Sequence, residues 1–106
     1  MAITEVQFRN VSSPGGSRLS LVGGTIASAA TVAPVGFMTY ITGTTEITTI
    51  TIPYAGFAGK LVFLPDDVFT LNTGGNIAVA ASAVAARAMV LFYDTLNKTW
   101  YPSYVA

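Results

Sequence analysis

The sequence contains no cysteine and no histidine. Without cysteine it forms neither a disulfide nor a thiolate. Without either residue, the usual zinc and copper ligand sets are excluded. A serine nucleophile activated by histidine is excluded on the same ground. Charge is almost as scarce. Asp, Glu, Lys and Arg make up 9% of the residues, against roughly 25% in an ordinary soluble domain. Five bases and five acids cancel to a formal net charge of zero, so nothing steers the chain toward nucleic acid or an anionic membrane. Long apolar runs are missing as well. The longest uncharged stretch of small apolar residues, 77–86, ends at Arg87 and falls well short of the ~18 residues that span a bilayer. The start, Met1-Ala2-Ile3-Thr4-Glu5, lacks the basic flank and apolar run of a signal peptide. The expectation is a soluble or assembly-bound protein with no cofactor.

What is abundant is apolar side chain, at 52% of 106 residues, enough for the core of one domain but not comfortably for two. These residues occupy consecutive strand positions in Gly59-Lys60-Leu61-Val62-Phe63-Leu64 and Met89-Val90-Leu91-Phe92-Tyr93. Neighbouring side chains of a strand point to opposite faces, so such a strand needs apolar cover on both sides. One small domain has one core. The second cover is therefore expected from another chain, with Val62, Leu64, Met89, Leu91 and Tyr93 as candidate interface residues.

Residues 1–24 read as an extended N-terminal arm. A short strand-like piece, residues 3–8, precedes the breaker cluster Ser12-Ser13-Pro14-Gly15-Gly16-Ser17, and Leu19-Ser20-Leu21-Val22 ends at Gly23-Gly24. Ile3, Phe8, Arg9, Arg18 and Leu21 are its candidate docking residues. The plainer alternative is an ordinary edge hairpin. Residues 25–106 read as a β domain of short strands with turn punctuation. Strands are expected over 35–42, 46–52, 60–64, 68–71 and 89–93, with turns at Pro65-Asp66-Asp67 and Asn72-Thr73-Gly74-Gly75-Asn76. In the 46–52 strand, Ile50 and Ile52 fall on one face and Ile47 on the other, which a bulge near Thr48-Thr49 or burial on both faces would explain. Asp94-Thr95-Leu96-Asn97-Lys98 reads as a hairpin loop closed by Thr99-Trp100-Tyr101. Residues 78–89 are alanine-rich and suit a helix by propensity. They lack an N-cap with a following acid and a polar face, so two strands with a tight link around Ser82 to Ala85 are favoured.

Few residues suggest chemistry. Asp66-Asp67 is the one adjacent carboxylate pair, but neighbours in a turn do not converge across a glycosidic bond, which needs carboxyls about 5–9.5 Å apart. The remaining acids are too scattered for a calcium site of 6–8 oxygens. No enzyme activity is expected. Tyr93, Trp100, Tyr101 and Tyr104 cluster near the C-terminus and read as packing or interface residues before sugar-stacking ones. Arg87, inside an apolar stretch, calls for a partner carboxylate, with Glu46 and Asp94 as candidates, or else for an exposed edge position.

Taken in order, several motifs resemble a module of tailed-phage virion proteins. They are Thr42-Gly43-Thr44 followed by Ile47 and Ile50, Gly59 with Leu61-Val62-Phe63, Gly74-Gly75-Asn76-Ile77, Leu91-Phe92-Tyr93-Asp94, and Trp100-Tyr101. Gly24-Thr25-Ile26-Ala27-Ser28 and Val32-Ala33-Pro34 fit upstream, so the resemblance covers about residues 24–104. The hairpin departs from the pattern, with Thr95 where a glycine usually follows the aspartate. The resemblance implies an all-β fold, a small antiparallel β-sandwich or barrel assembling as a homotrimer. It also implies a virion structural role without nucleic-acid or membrane partners. Capsid decoration, cementing the major capsid protein at the capsid surface, is the favoured reading. A tail fibre or tail tip binding a host receptor is the alternative.

Overall fold

The computed structural model describes residues 20–105. Among them there are nine strands and no helix. In chain order these are β1 (Ser20–Ala27), β2 (Thr31–Val32), β3 (Gly36–Thr42), β4 (Thr49–Ile50), β5 (Gly59–Pro65), β6 (Thr70–Leu71), β7 (Ala81–Ser82), β8 (Met89–Asp94) and β9 (Thr99–Pro102). One five-stranded sheet has the order β9-β8-β5-β3-β1. The short strands form two further pairs, β2 with β4 and β6 with β7.

The all-β expectation holds, but the antiparallel arrangement does not. β1, β3 and β5 run parallel, and only β8 and β9 join the large sheet antiparallel. Parallel neighbours need a long crossover, commonly a helix. Here residues 28–35 and 43–58 serve that purpose without one. Each connection leaves the sheet, contributes a two-residue strand, and returns. The two strands so formed, β2 and β4, pair with each other in parallel. Ile47 bridges Leu71 and Ile77 bridges Trp100, also in parallel.

The connections supply the second wall of the core. Val32, Ile47, Ile50, Phe57, Phe69, Leu71, Ile77 and Ala83 pack in one cluster with Ile41, Leu61, Phe63, Met89, Leu91 and Trp100 of the sheet. Full burial of each large member contributes roughly 1.5–3 kcal/mol. Ile47 and Ile50 are both fully buried although three positions apart. The bulge explains this. The Thr48 and Thr49 amides both donate to the Ala30 carbonyl, at 2.9 and 3.0 Å, so two residues oppose one.

Asn76 closes the layer. Its side-chain amide donates to the Ile50 carbonyl and its side-chain oxygen accepts the Ile50 N–H, both at 2.8 Å. The Trp100 indole donates to the same carbonyl at 3.0 Å. Gly75 lies against the bulge, where a Cβ would overlap the Thr48 carbonyl oxygen and Thr49 Oγ1.

The arm boundary expected after Gly24 falls inside β1. Ser20 and Val22 pair with Gly36 and Met38, and the register shifts before Thr25 through the two glycines. Gly24 has φ of 80°, and a Cβ on Gly23 would lie 2.6 Å from the Gly36 nitrogen. The strand therefore continues through a pair that reads as a breaker. Residues 1–19, with the candidates Ile3, Phe8, Arg9 and Arg18, lie outside the described residues. Leu21 falls within β1. Residues 78–89 form neither a helix nor two full strands: β7 is two residues long, and a turn with Ala86 at φ 64° leads into β8.

Two substitutions test this packing in urea denaturation. Gly75→Ala should cost about 1–3 kcal/mol, because both atoms it meets are held in the bulge. Thr39 is 1% exposed and its hydroxyl has no hydrogen-bond partner. Thr39→Val, of similar shape, should raise stability by about 1 kcal/mol.

Candidate assembly surface

Residues in register across a sheet share a face. On the face away from the core, three rows run across the strands. Met38, Val62 and Val90 form the middle row. Tyr40 and Leu64 form a second, beside Thr25 of β1. Lys60, Phe92 and Tyr101 form the third. Tyr40, Phe92, Tyr101 and Met38 are 49, 47, 44 and 37% exposed, and Val62, Leu64 and Val90 are half-buried. Strand spacing and rise give this five-stranded sheet a flat outer face of about 500 Å². Scattered exposed apolar residues are ordinary, and a contiguous face of this size is comparable with the largest apolar patch of a typical monomer, which is often functional.

The face has a polarity along β5. Lys60, exposed, stands near one end. Asp66, also exposed, follows Pro65 at the other, its amide donating to the Ile41 carbonyl at 2.9 Å. Six residues of extended chain separate the two by about 20 Å. Beside Asp66 is an open groove of about 340 Å³ lined by Tyr40, Leu64, Pro65, Ala86 and Ala88.

Of the five residues expected on an inter-subunit face, Val62 and Leu64 lie on this outer face. Met89 and Leu91 do not, and the expectation for them is corrected. Both are 0% exposed within the single chain, covered by the crossover layer. Tyr93 shares their inward face, with its ring centroid 4.8 Å from that of Trp100. Sequence reasoning assigned the wrong parity to β8. Val90 and Phe92 face out, and Met38 and Tyr40 of β3 were missed. Their signal was the pairing of apolar residues Phe37-Met38 and Tyr40-Ile41, the same two-sided pattern seen in β5 and β8.

The aromatic group divides. Trp100 is buried and Phe57 packs 5.9 Å from it. The Tyr104 hydroxyl donates to the Arg87 carbonyl at 3.0 Å, and the Arg87 guanidinium lies 4.0 Å above the Tyr104 ring. The ring face gives the guanidinium a cation–π partner. Glu46 instead accepts from the Asn72 side chain. Asp67 accepts the Val68 amide at 2.7 Å, as an ordinary turn residue does. No group of three acidic residues close enough to hold a metal exists among the described residues.

Asp94 organises the hairpin between β8 and β9. One carboxylate oxygen accepts the Leu96 and Asn97 amides, at 2.9 and 3.3 Å. The other accepts the Asn97 side-chain amide at 2.8 Å and the Tyr101 hydroxyl at 3.2 Å. Lys98 takes a left-handed φ of 59° in the place a glycine would favour. Leu96, at the tip, is 86% exposed. The Asn97 side chain, then its backbone amide, hold the Asp94 carboxyl below its ordinary value of 3.8. A lowered folded-state value means the contribution is fully present above the unfolded value and lost as pH falls through the folded one. Wild-type stability should therefore drop more steeply between about pH 5 and pH 2 than that of Asp94→Asn. Urea midpoints across this range check it, and equal slopes would dismiss the role given to Asp94.

No protein-family model, curated protein or solved structure matches the chain.

Proposed function

We propose that this protein is a structural subunit of a phage virion, a homotrimer that decorates the capsid surface and stabilises the shell. It acts by binding, not by chemistry. The observation that carries the self-assembling part of this reading is the outer face of the five-stranded sheet, where seven apolar side chains from four strands lie together, four of them exposed and three half-buried. A face of this kind is a net liability in a free subunit and an asset in an assembled one. The low charge fits, since few charged groups need desolvating on association. The resemblance of residues 24–104 to tailed-phage virion modules supplies three subunits and a place on the particle. Residues 1–19 precede β1 in the sequence and include Phe8, Arg9 and Arg18, suited to contact with the major capsid protein.

A tail-fibre or tail-tip protein binding a host receptor is the second reading. It draws on the rigid hairpin, which presents Leu96 and Tyr101 to solvent.

Light scattering of the purified protein at micromolar concentration should give three times the 11.0-kDa chain mass. A monomer would overturn the assembly reading. Quantitative mass spectrometry of particles should find copies numerous enough to cover the shell, whereas a handful per particle would favour the tail. Deleting residues 1–19 leaves β1 whole and should abolish particle binding while trimers persist.

A further inference from the structure

We infer that copies of this chain meet head to tail, with the Lys60–Phe92–Tyr101 row of one copy docked into the Tyr40–Leu64–Asp66 groove of the next. This rests on the self-assembly reading above and names its contact. The two ends of the outer face are unlike and complementary. One offers a projecting aromatic, Phe92, 47% exposed, in register with a lysine on one side and Tyr101 on the other. The other offers a concave apolar groove of about 340 Å³ with a carboxylate at its rim, within the range of volumes that enclose small ligands and large enough for an aromatic ring. Aromatic anchors seated in pockets carry much of the energy of protein contacts.

One charge pair favours a direction, with Asp94, which accepts the Tyr101 hydroxyl, at the same end as Lys60. A head-to-head meeting of the third rows brings two Lys60 ammonium groups together on an apolar surface. A head-to-tail meeting sets Lys60 against Asp66 of the next copy. A contact between two different patches repeats from copy to copy and closes into a ring when the rotation suits. Each subunit then gives one end and receives at the other. The middle row, Met38, Val62 and Val90, is left facing the ring axis, where three copies cover it. The outer face, about 500 Å² when flat, is shared between two neighbours in such a ring, so each contact draws on about half of it and is smaller than the roughly 800 Å² per partner of a standard interface.

Charge exchange tests the contact. Lys60 and Asp66 are both exposed in the single chain, so their replacement leaves folding intact, as circular dichroism will verify. Sedimentation equilibrium of Lys60→Glu and of Asp66→Lys should each show the association weakened at least about tenfold. The double variant should recover wild-type association to within about threefold. Phe92→Ala should weaken it at least about tenfold with charge unchanged. If the wild type is trimeric and the single charge variants associate equally well, the head-to-tail contact is wrong while the assembly reading stands. Failure of the double variant to recover would also overturn the contact. A wild-type mass of two chains, the product of a two-fold contact, would overturn it too. A monomeric wild type would remove both.

Discussion

The fold depends on how the Ile50 peptide is satisfied. Ile50 sits in a two-residue strand, too short to meet its backbone needs through a ladder alone. Its N–H and carbonyl are taken up by the Asn76 side chain, and the Trp100 indole adds a second donor to the carbonyl. A peptide buried between layers without partners costs several kcal/mol. One asparagine and one tryptophan, distant in sequence, thus allow an irregular connection to act as the second wall of a core. Phe57, Leu71 and Ile77 then pack against the large sheet without needing long strands of their own.

Once the crossovers cover the inner face, the outer face is left with apolar residues and no cover from the described chain. The asymmetry is chemical as well as geometric. Inward positions of β3, β5 and β8 carry Ile41, Leu61, Phe63, Met89 and Leu91. Outward positions carry Tyr40, Met38 and Phe92, side chains that tolerate partial exposure and pack adaptably. The single lysine in the rows spans the surface with its aliphatic stem while its charge reaches water. Such a face contributes little to folding one chain, and on the proposed reading its value lies in association.

Much of the strand placement was legible in the sequence because local chemistry governs it. Asp94 through Lys98 carries its own turn signal, and the misplaced parity of Ile47 announced the bulge at Thr48-Thr49. Strand direction was not legible. Whether β1, β3 and β5 run parallel depends on what residues 28–35 and 43–58 do between them, and those stretches show no helical period to announce a crossover. The outer apolar face was half legible for a related reason. Alternation shows that β8 has two apolar faces, but it cannot say which one the chain covers itself. That depends on the connections, whose burial only the folded arrangement reveals. Gly23-Gly24 misled in a different way: a pair that reads as a break serves as a bulge that lets β1 approach β3 closely.

The parallel order of β1, β3 and β5 bears on how quickly the chain reaches its native state. Thr31 must find Thr49, Met38 must find Val62, and Ile47 must find Leu71. Among the described strands, the hairpin in the large sheet that can close early is β8 with β9. Chains dominated by such distant pairings fold in milliseconds to seconds, because loop entropy is lost before contacts reward it. During that interval the future outer face is exposed alongside the future core. Synthesis at high concentration therefore sets up a race between winding the crossovers and sticking to neighbours. The groups proposed to link chains in an assembly are the same ones that would trap them before it.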